Sequence, residues 1–105
     1  MALTRDFVET VKKRADRDPA FRVGLLTEAA ECLLNDEVSV AKSLLRDYIN
    51  ATMGFKELSR LVDKKPESIM RMLSANGNPR VDNLSKVMAS LRKYEGIQLH
   101  VEAGR

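Results

Sequence analysis

The chain has 105 residues, 44% of them hydrophobic and 31% charged, which fits one globular domain and excludes a disordered chain. A single cysteine excludes an internal disulfide framework, and one cysteine with one histidine excludes a Cys/His metal cage. Since no apolar run is long enough to cross a bilayer and no signal-peptide pattern opens the chain, we expect a cytoplasmic protein without membrane contact.

Positive charge is concentrated in the second half of the chain. Residues 1–50 hold eight Lys and Arg against nine Asp and Glu, a net charge of −1, whereas residues 51–105 hold ten against six, a net charge of +4. The basic half is therefore the first place to look for a polyanion such as DNA. A solvated surface with no partner would carry the same modest excess.

Apolar residues at helical spacing predict that residues 1–52 form an N-terminal helical extension. Thr4 is the expected N-cap of a first helix. Asp18 before Pro19 predicts the start of a second helix, because Asp caps helices well and Pro fits the first helical position. A third helix should end near Gly54. The apolar faces of the second and third helices comprise Phe21, Leu25, Leu26, Ala29, Ala30, Leu33, Leu34, Val40, Ala41, Leu44, Leu45, Tyr48 and Ile49.

Shorter helices predict a helix-turn-helix DNA-binding domain over residues 53–95. A helix of about two to three turns ends before Pro66, which suits the first turn of the next helix. Asp63 falls in the turn between them, where a left-handed backbone is often required and Asp tolerates it. Asn-Gly-Asn-Pro at 76–79 predicts a loop before a last helix that ends at Gly96.

The tail, residues 96–105, changes its hydrophobic period. Ile97, Leu99 and Val101 alternate with polar residues, which predicts one short β-strand. Because we expect no second strand in this chain, its backbone groups would pair with a second copy, in a homodimer, or with another protein. The alternative is a tail that lies on the helices. The predicted fold is thus an all-α bundle, one compact unit, with a short C-terminal β-strand.

Polar and basic side chains surround the predicted helix-turn-helix. On its second helix, Glu67, Ser68 and Arg71 fall opposite the apolar face, and we expect them to read bases. An arginine can donate two hydrogen bonds to one guanine, and a carboxylate can accept a hydrogen bond from the amino group of cytosine. The side chains expected to face phosphates are Lys64, Lys65, Ser74, Asn76, Asn78 and Arg80. Each of them alone is explained equally well as a solvent-facing residue, but together they favour DNA binding.

Three consecutive segments of this region resemble segments of a known family of regulators: GFKELS at 54–59, PESIMRML at 66–73 and SANGNP at 74–79. With RDYIN at 46–50 and IQLHVE at 97–102, they resemble the HigA-type antitoxins of addiction modules, whose helix-turn-helix is similar to those of the Xre and Cro repressors. The Leu-Ser-x-x-Gly-Asn-Pro pattern after the second helix of the pair is the most specific part.

This resemblance implies a lambda-repressor-like helical bundle and a bacterial regulator. Such a protein binds double-stranded operator DNA as a dimer, represses its own operon and neutralises a RelE-like toxin ribonuclease. The resemblance assigns base reading to the same three residues of the second helix, and phosphate contacts to Lys56, Lys65 and Arg80. Asp63 and Pro66 depart from the repressor pattern, and Pro66 removes one backbone donor.

No catalytic residue, metal ligand or cofactor is predicted, and we do not expect an enzyme. Cys32 lies on an apolar helix face and far in sequence from His100, so a buried thiol is expected. The carboxylates alternate with Lys and Arg at helical spacing, which predicts surface ion pairs. The alternative to DNA binding is a protein-interaction module with the same fold that uses residues 4–52 and the tail. The net negative charge of residues 1–50 suits a basic partner.

Overall fold

The computed structural model describes residues 5–104, and this part of the chain contains six α-helices. They are α1 Arg5–Arg17, α2 Pro19–Leu34, α3 Val38–Ala51, α4 Gly54–Val62, α5 Pro66–Met72 and α6 Val81–Glu95. The helical part of the predicted fold is therefore confirmed. Thr4, the predicted cap of α1, lies outside the described residues. None of these helices is both long and apolar enough to pass through a lipid bilayer.

Several helix ends lie at the residues whose chemistry predicts them. The Asp18 carboxylate accepts from the backbone N–H of Phe21 at 3.2 Å, and Pro19 occupies the first position of α2. Pro66 likewise begins α5. Gly96 ends α6 with φ +73°, a left-handed conformation that costs glycine little. Local capping chemistry thus determines where these helices begin and end.

One hydrophobic core joins α2 to α6. Its fully buried large side chains are Tyr48, Leu26, Leu45, Ile49, Leu58, Ile69, Leu73, Leu91 and Val87. The N-terminal helices and the short helices after Gly54 therefore pack around the same core. Leu34 and Val40, which we predicted on the core side, are instead 66% and 47% exposed. Apolar spacing predicts which residues share a helix face, but it does not show how far a neighbouring helix covers that face.

The β-strand predicted over 97–101 is not seen in this chain. In the described part of the chain, residues 97–104 contain no strand and residues 98–104 make no backbone–backbone hydrogen bond. A strand requires a neighbour for its N–H and C=O groups, and the helices cannot supply one. Ile97 and Leu99 are half-buried against the core, whereas Val101 is 78% exposed. The tail thus matches the alternative, a segment that lies on the helices.

A nearly buried carboxylate connects α6 to α2 and α3. The side chain of Glu95 is only 7% exposed and accepts from Arg22 Nε at 3.1 Å and from the Tyr48 hydroxyl at 2.7 Å. Arg22 also donates to the carbonyl oxygen of Ala15 in α1. Our prediction of surface ion pairs is wrong for Glu95, because its partners are distant in sequence and only the fold brings them together.

Tyr48→Phe is expected to make stability less sensitive to high pH. Burial and the hydrogen bond to Glu95 raise the pKa of Tyr48 above its ordinary value of 10.0. The folded protein retains this proton where the unfolded chain loses it. The contribution of the Tyr48 hydroxyl to the free energy of unfolding is therefore complete below about pH 10. Above that pH it falls by up to about 1.4 kcal/mol per pH unit. Urea unfolding from about pH 9 to 11 measures the slope, and equal slopes in the two proteins would contradict this prediction.

Candidate nucleic-acid interface

Helices α4 and α5 are short and are joined by a three-residue turn, residues 63–65. Asp63 adopts φ +53° and ψ +49°, the left-handed conformation predicted for this turn. The backbone N–H of Lys64 donates to the Ser59 carbonyl oxygen at 3.1 Å, which closes the end of α4. Leu58 of α4 and Ile69 of α5 are fully buried in the common core. The turn and the core contacts together fix the orientation of α5.

Helix α5 has a buried face and an exposed face. Ile69, and Leu73 directly after the helix, are fully buried. Glu67, Ser68 and Arg71 are exposed, as the sequence predicts. Met70 is 49% exposed and adds an apolar group to the outer face. A polar outer face on a helix held in place by its inner face is available to contact a partner.

A groove of about 370 Å³ lies between α5, the following loop and the start of α6. Its lining residues are Lys64, Ser68, Arg71, Met72, Asn76, Gly77, Asn78, Pro79, Arg80 and Asn83. Six of these are predicted site residues: Lys64, Ser68, Arg71, Asn76, Asn78 and Arg80. Sequence reasoning missed Asn83, because one amide at a helix start carries no motif. The fold therefore places expected base-reading and phosphate-facing side chains around one concave surface.

The lining of this groove is positively charged. It includes three cationic side chains, Lys64, Arg71 and Arg80, and the residues that line it include no carboxylate. The Arg80 guanidinium lies 3.4 Å from Asp82, but these side chains are 79% and 57% exposed, so water screens the pair. Hydroxyl and amide groups supply further hydrogen-bond donors. The combination attracts anions and offers donors to phosphate or to base edges.

Four predicted site residues lie outside the groove lining. Lys56, Lys65 and Glu67 are exposed on α4, in the turn and on α5. The Ser74 hydroxyl donates to the Arg71 carbonyl oxygen at 2.7 Å, so its hydrogen is already used at the end of α5. These four side chains are therefore not part of the groove lining.

Gly77 allows the loop to pass directly over the end of α5. Its N–H donates to the Ser74 carbonyl oxygen at 3.0 Å. A Cβ at this position would lie 2.2 Å from the Arg71 oxygen and 2.5 Å from the Met72 oxygen, distances that side chains do not tolerate. The absence of a side chain at Gly77 therefore brings the neighbouring amides, Asn76 and Asn78, close to α5.

Gly77→Ala is expected to destabilise the protein by about 1–3 kcal/mol, because the added methyl group must displace backbone oxygens. Gly24→Ala is the matched control. Gly24 lies inside α2 with open space around its Cβ, so the same substitution should stabilise the protein by about 0.5–1 kcal/mol. Urea unfolding measures both changes, and a Gly77→Ala protein at least as stable as the unmodified protein would contradict the close approach.

Two side chains of α3, which sequence reasoning missed, reach this site. Lys42 Nζ donates to the carbonyl oxygens of Gly77 at 2.8 Å and Ala75 at 3.3 Å, and Arg46 donates to that of Leu73. These partners are 27 to 35 residues away in sequence, so periodicity within α3 cannot predict them. In the sequence, the only indication of this contact is that Lys42 lies next to apolar positions of α3.

Comparison with protein-family models, curated protein sequences and solved structures found no match. The resemblance to HigA-type antitoxins therefore stays a prediction. Among the described residues, no group of three or more His, Cys, Asp and Glu side chains is placed to hold a metal ion. Cys32 is buried, as its apolar surroundings predict.

Proposed function

We propose that this protein is a sequence-specific DNA-binding regulator whose helix α5 enters the major groove. The observation that carries the proposal is the exposed face of α5, on which Ser68 and Arg71 line a groove that has three cations and no carboxylate in its lining. An arginine on the outer face of a helix held in the major groove can donate two hydrogen bonds to guanine.

Side chains around α5 supply the sequence-independent part of the affinity. Lys64 and Arg80 flank the helix, and Asn76 and Asn78 extend the donors along the loop. Contacts of this kind with phosphates set the position of a protein on DNA and release counterions. Helix-turn-helix proteins bind as dimers to half-sites about one turn of DNA apart, so the active species is a homodimer.

Fluorescence anisotropy tests this function with three components: the DNA upstream of the protein's own reading frame, a scrambled duplex of equal length, and a salt series. The expected result is preferential binding of the upstream DNA, with an affinity that falls steeply as salt rises. Weak binding that is equal on both duplexes would contradict sequence-specific recognition and would reduce the basic groove to a solvated surface.

The second candidate function is binding of a basic protein, and the surface around the α2–α3 connection favours it. Between Arg22 and Lys42 the chain has four Asp and Glu and no Lys or Arg. Leu34, Val38 and Val40 are 66%, 39% and 47% exposed in the same region. Apolar groups within an acidic surface suit a basic partner.

These two functions coexist in an antitoxin, which represses its own operon and neutralises a RelE-like toxin ribonuclease. Titration of the protein into a RelE-type ribonuclease, with RNA cleavage as the readout, tests the second function. Inhibition that Leu34→Asp weakens and Arg71→Glu spares would support a separate protein-binding surface. Unimpeded cleavage at a large excess of the protein would contradict the antitoxin role.

A further inference from the structure

The side chain of Lys42 is nearly inaccessible to water, at 4% relative exposure, and it projects from α3 toward the loop after α5. Its ammonium group donates to the Gly77 carbonyl oxygen at 2.8 Å and to the Ala75 carbonyl oxygen at 3.3 Å. Within the described residues it forms no ion pair. Backbone carbonyls of this loop are thus the partners of a buried cation.

Burial of a lysine lowers the stability of a folded protein unless its ammonium group has partners. Lysine is almost never fully buried without a partner, because removal of its charge from water costs free energy that hydrogen bonds must offset. In return, Lys42 fixes the positions of two loop carbonyl groups, those of Ala75 and Gly77.

Arg46 lies one helical turn after Lys42 and on the same face of α3. It donates to the carbonyl oxygen of Leu73, so two cations of α3 hold three carbonyl oxygens, those of Leu73, Ala75 and Gly77. Cations near the end of a helix also interact favourably with its unpaired carbonyl groups. Helix α3 therefore determines how α5 ends and how the chain continues.

The loop held in this way presents side chains to the groove. Asn76 and Asn78 are exposed and line it, while the carbonyl oxygens of their neighbours Ala75 and Gly77 accept from Lys42. The fixed carbonyls and the exposed amides alternate along the loop. Loss of the Lys42 hydrogen bonds would free this backbone and, with it, both amide side chains.

We infer that Lys42 is a positioning residue of the DNA site: it holds the loop of residues 74–79 so that Asn76 and Asn78 meet the DNA beside α5. This inference rests on the proposed function and extends it. The N-terminal helices are then part of the DNA-binding surface rather than an appendage to it, although Lys42 itself touches no DNA.

Lys42→Met tests the inference in the full chain, because methionine fills a similar volume and cannot donate. Lys12→Met is the matched control, since it removes the same charge from an exposed position on α1. The first readout is backbone amide relaxation by NMR, which requires no DNA. In Lys42→Met we expect the amides of residues 74–79 to become mobile on the nanosecond timescale while those of α4 and α6 stay rigid.

The second readout is anisotropy on the upstream and scrambled duplexes. Lys42→Met should bind both duplexes about tenfold more weakly, since the loop must then be ordered on binding and phosphate contacts of Asn76 and Asn78 do not depend on sequence. Lys12→Met should change neither readout. Lys42→Leu, which is shorter and likewise cannot donate, replaces Lys42→Met should the latter not fold.

A loop as rigid in Lys42→Met as in the unmodified protein would overturn the inference. A mobile loop with unchanged affinity for the upstream duplex would overturn it as well. Failure of the unmodified protein to prefer the upstream duplex is a different result: it overturns the proposed function, and with it the link from Lys42 to DNA, whatever the loop amides show.

Discussion

In Arg71→Ala, binding of the preferred duplex is expected to weaken by about 1–3 kcal/mol, whereas binding of scrambled DNA stays nearly unchanged. Arg71 is exposed on α5 and lines the groove, whereas the neighbouring Ile69 is fully buried and fixes the direction of the helix. A guanidinium in this position donates to two acceptors of one guanine, and alanine leaves those acceptors without a partner. The effect is therefore a loss of sequence preference rather than a general loss of affinity.

Anisotropy at a fixed salt concentration on both duplexes measures this effect. Arg17→Ala is the matched control, because Arg17 is exposed at the end of α1 and carries the same charge. The control should lose little on either duplex. An equal loss on both duplexes in Arg71→Ala would assign Arg71 to phosphate contact and would contradict a base-reading role.

Glu95→Ala is expected to reduce the free energy of unfolding by about 3–5 kcal/mol, because it removes one partner from a nearly buried ion pair. The carboxylate accepts from Arg22 at 3.1 Å and from the fully buried Tyr48 hydroxyl at 2.7 Å. Alanine leaves both donors without this acceptor in a region that admits little water. Contacts among three helices, α2, α3 and α6, are weakened together.

Urea unfolding of the full chain measures the loss at Glu95. Glu28→Ala is the matched control, since Glu28 is exposed on α2 and its substitution should change stability by less than about 0.5 kcal/mol. A cost for Glu95→Ala close to that of the control would show that the network contributes nothing to folding. Tyr48→Phe, which removes one of the two donors, should cost less than Glu95→Ala.

Local chemistry made much of this fold predictable. Asp18 with Pro19, Pro66 and Gly96 each define a helix end by their own capping or backbone preference, and the structure places the ends there. Asp63 is left-handed as its place in the turn predicts. Helical periodicity likewise separates the buried face of α5 from its exposed face. These predictions depend on residues within a few positions of one another.

Features that depend on distant partners were not predictable in the same way. The tail has the alternation of a strand, but a strand also needs a neighbour to bond with, and no local pattern provides one. Lys42, Arg46 and Glu95 resemble ordinary surface charges in the sequence. Their hydrogen bonds span 27 to 73 residues along the chain, so only the assembled core brings the partners together.

The most direct test of sequence reading by α5 is selection from a pool of random duplexes, since it requires no knowledge of the operator. The full chain is mixed with the pool, bound DNA is recovered and amplified, and the recovered sequences are compared with the starting pool. We predict enrichment of two related half-sites whose centres lie about one helical turn, roughly 10 bp, apart. A recovered pool with the same composition as the starting pool would contradict sequence reading by α5.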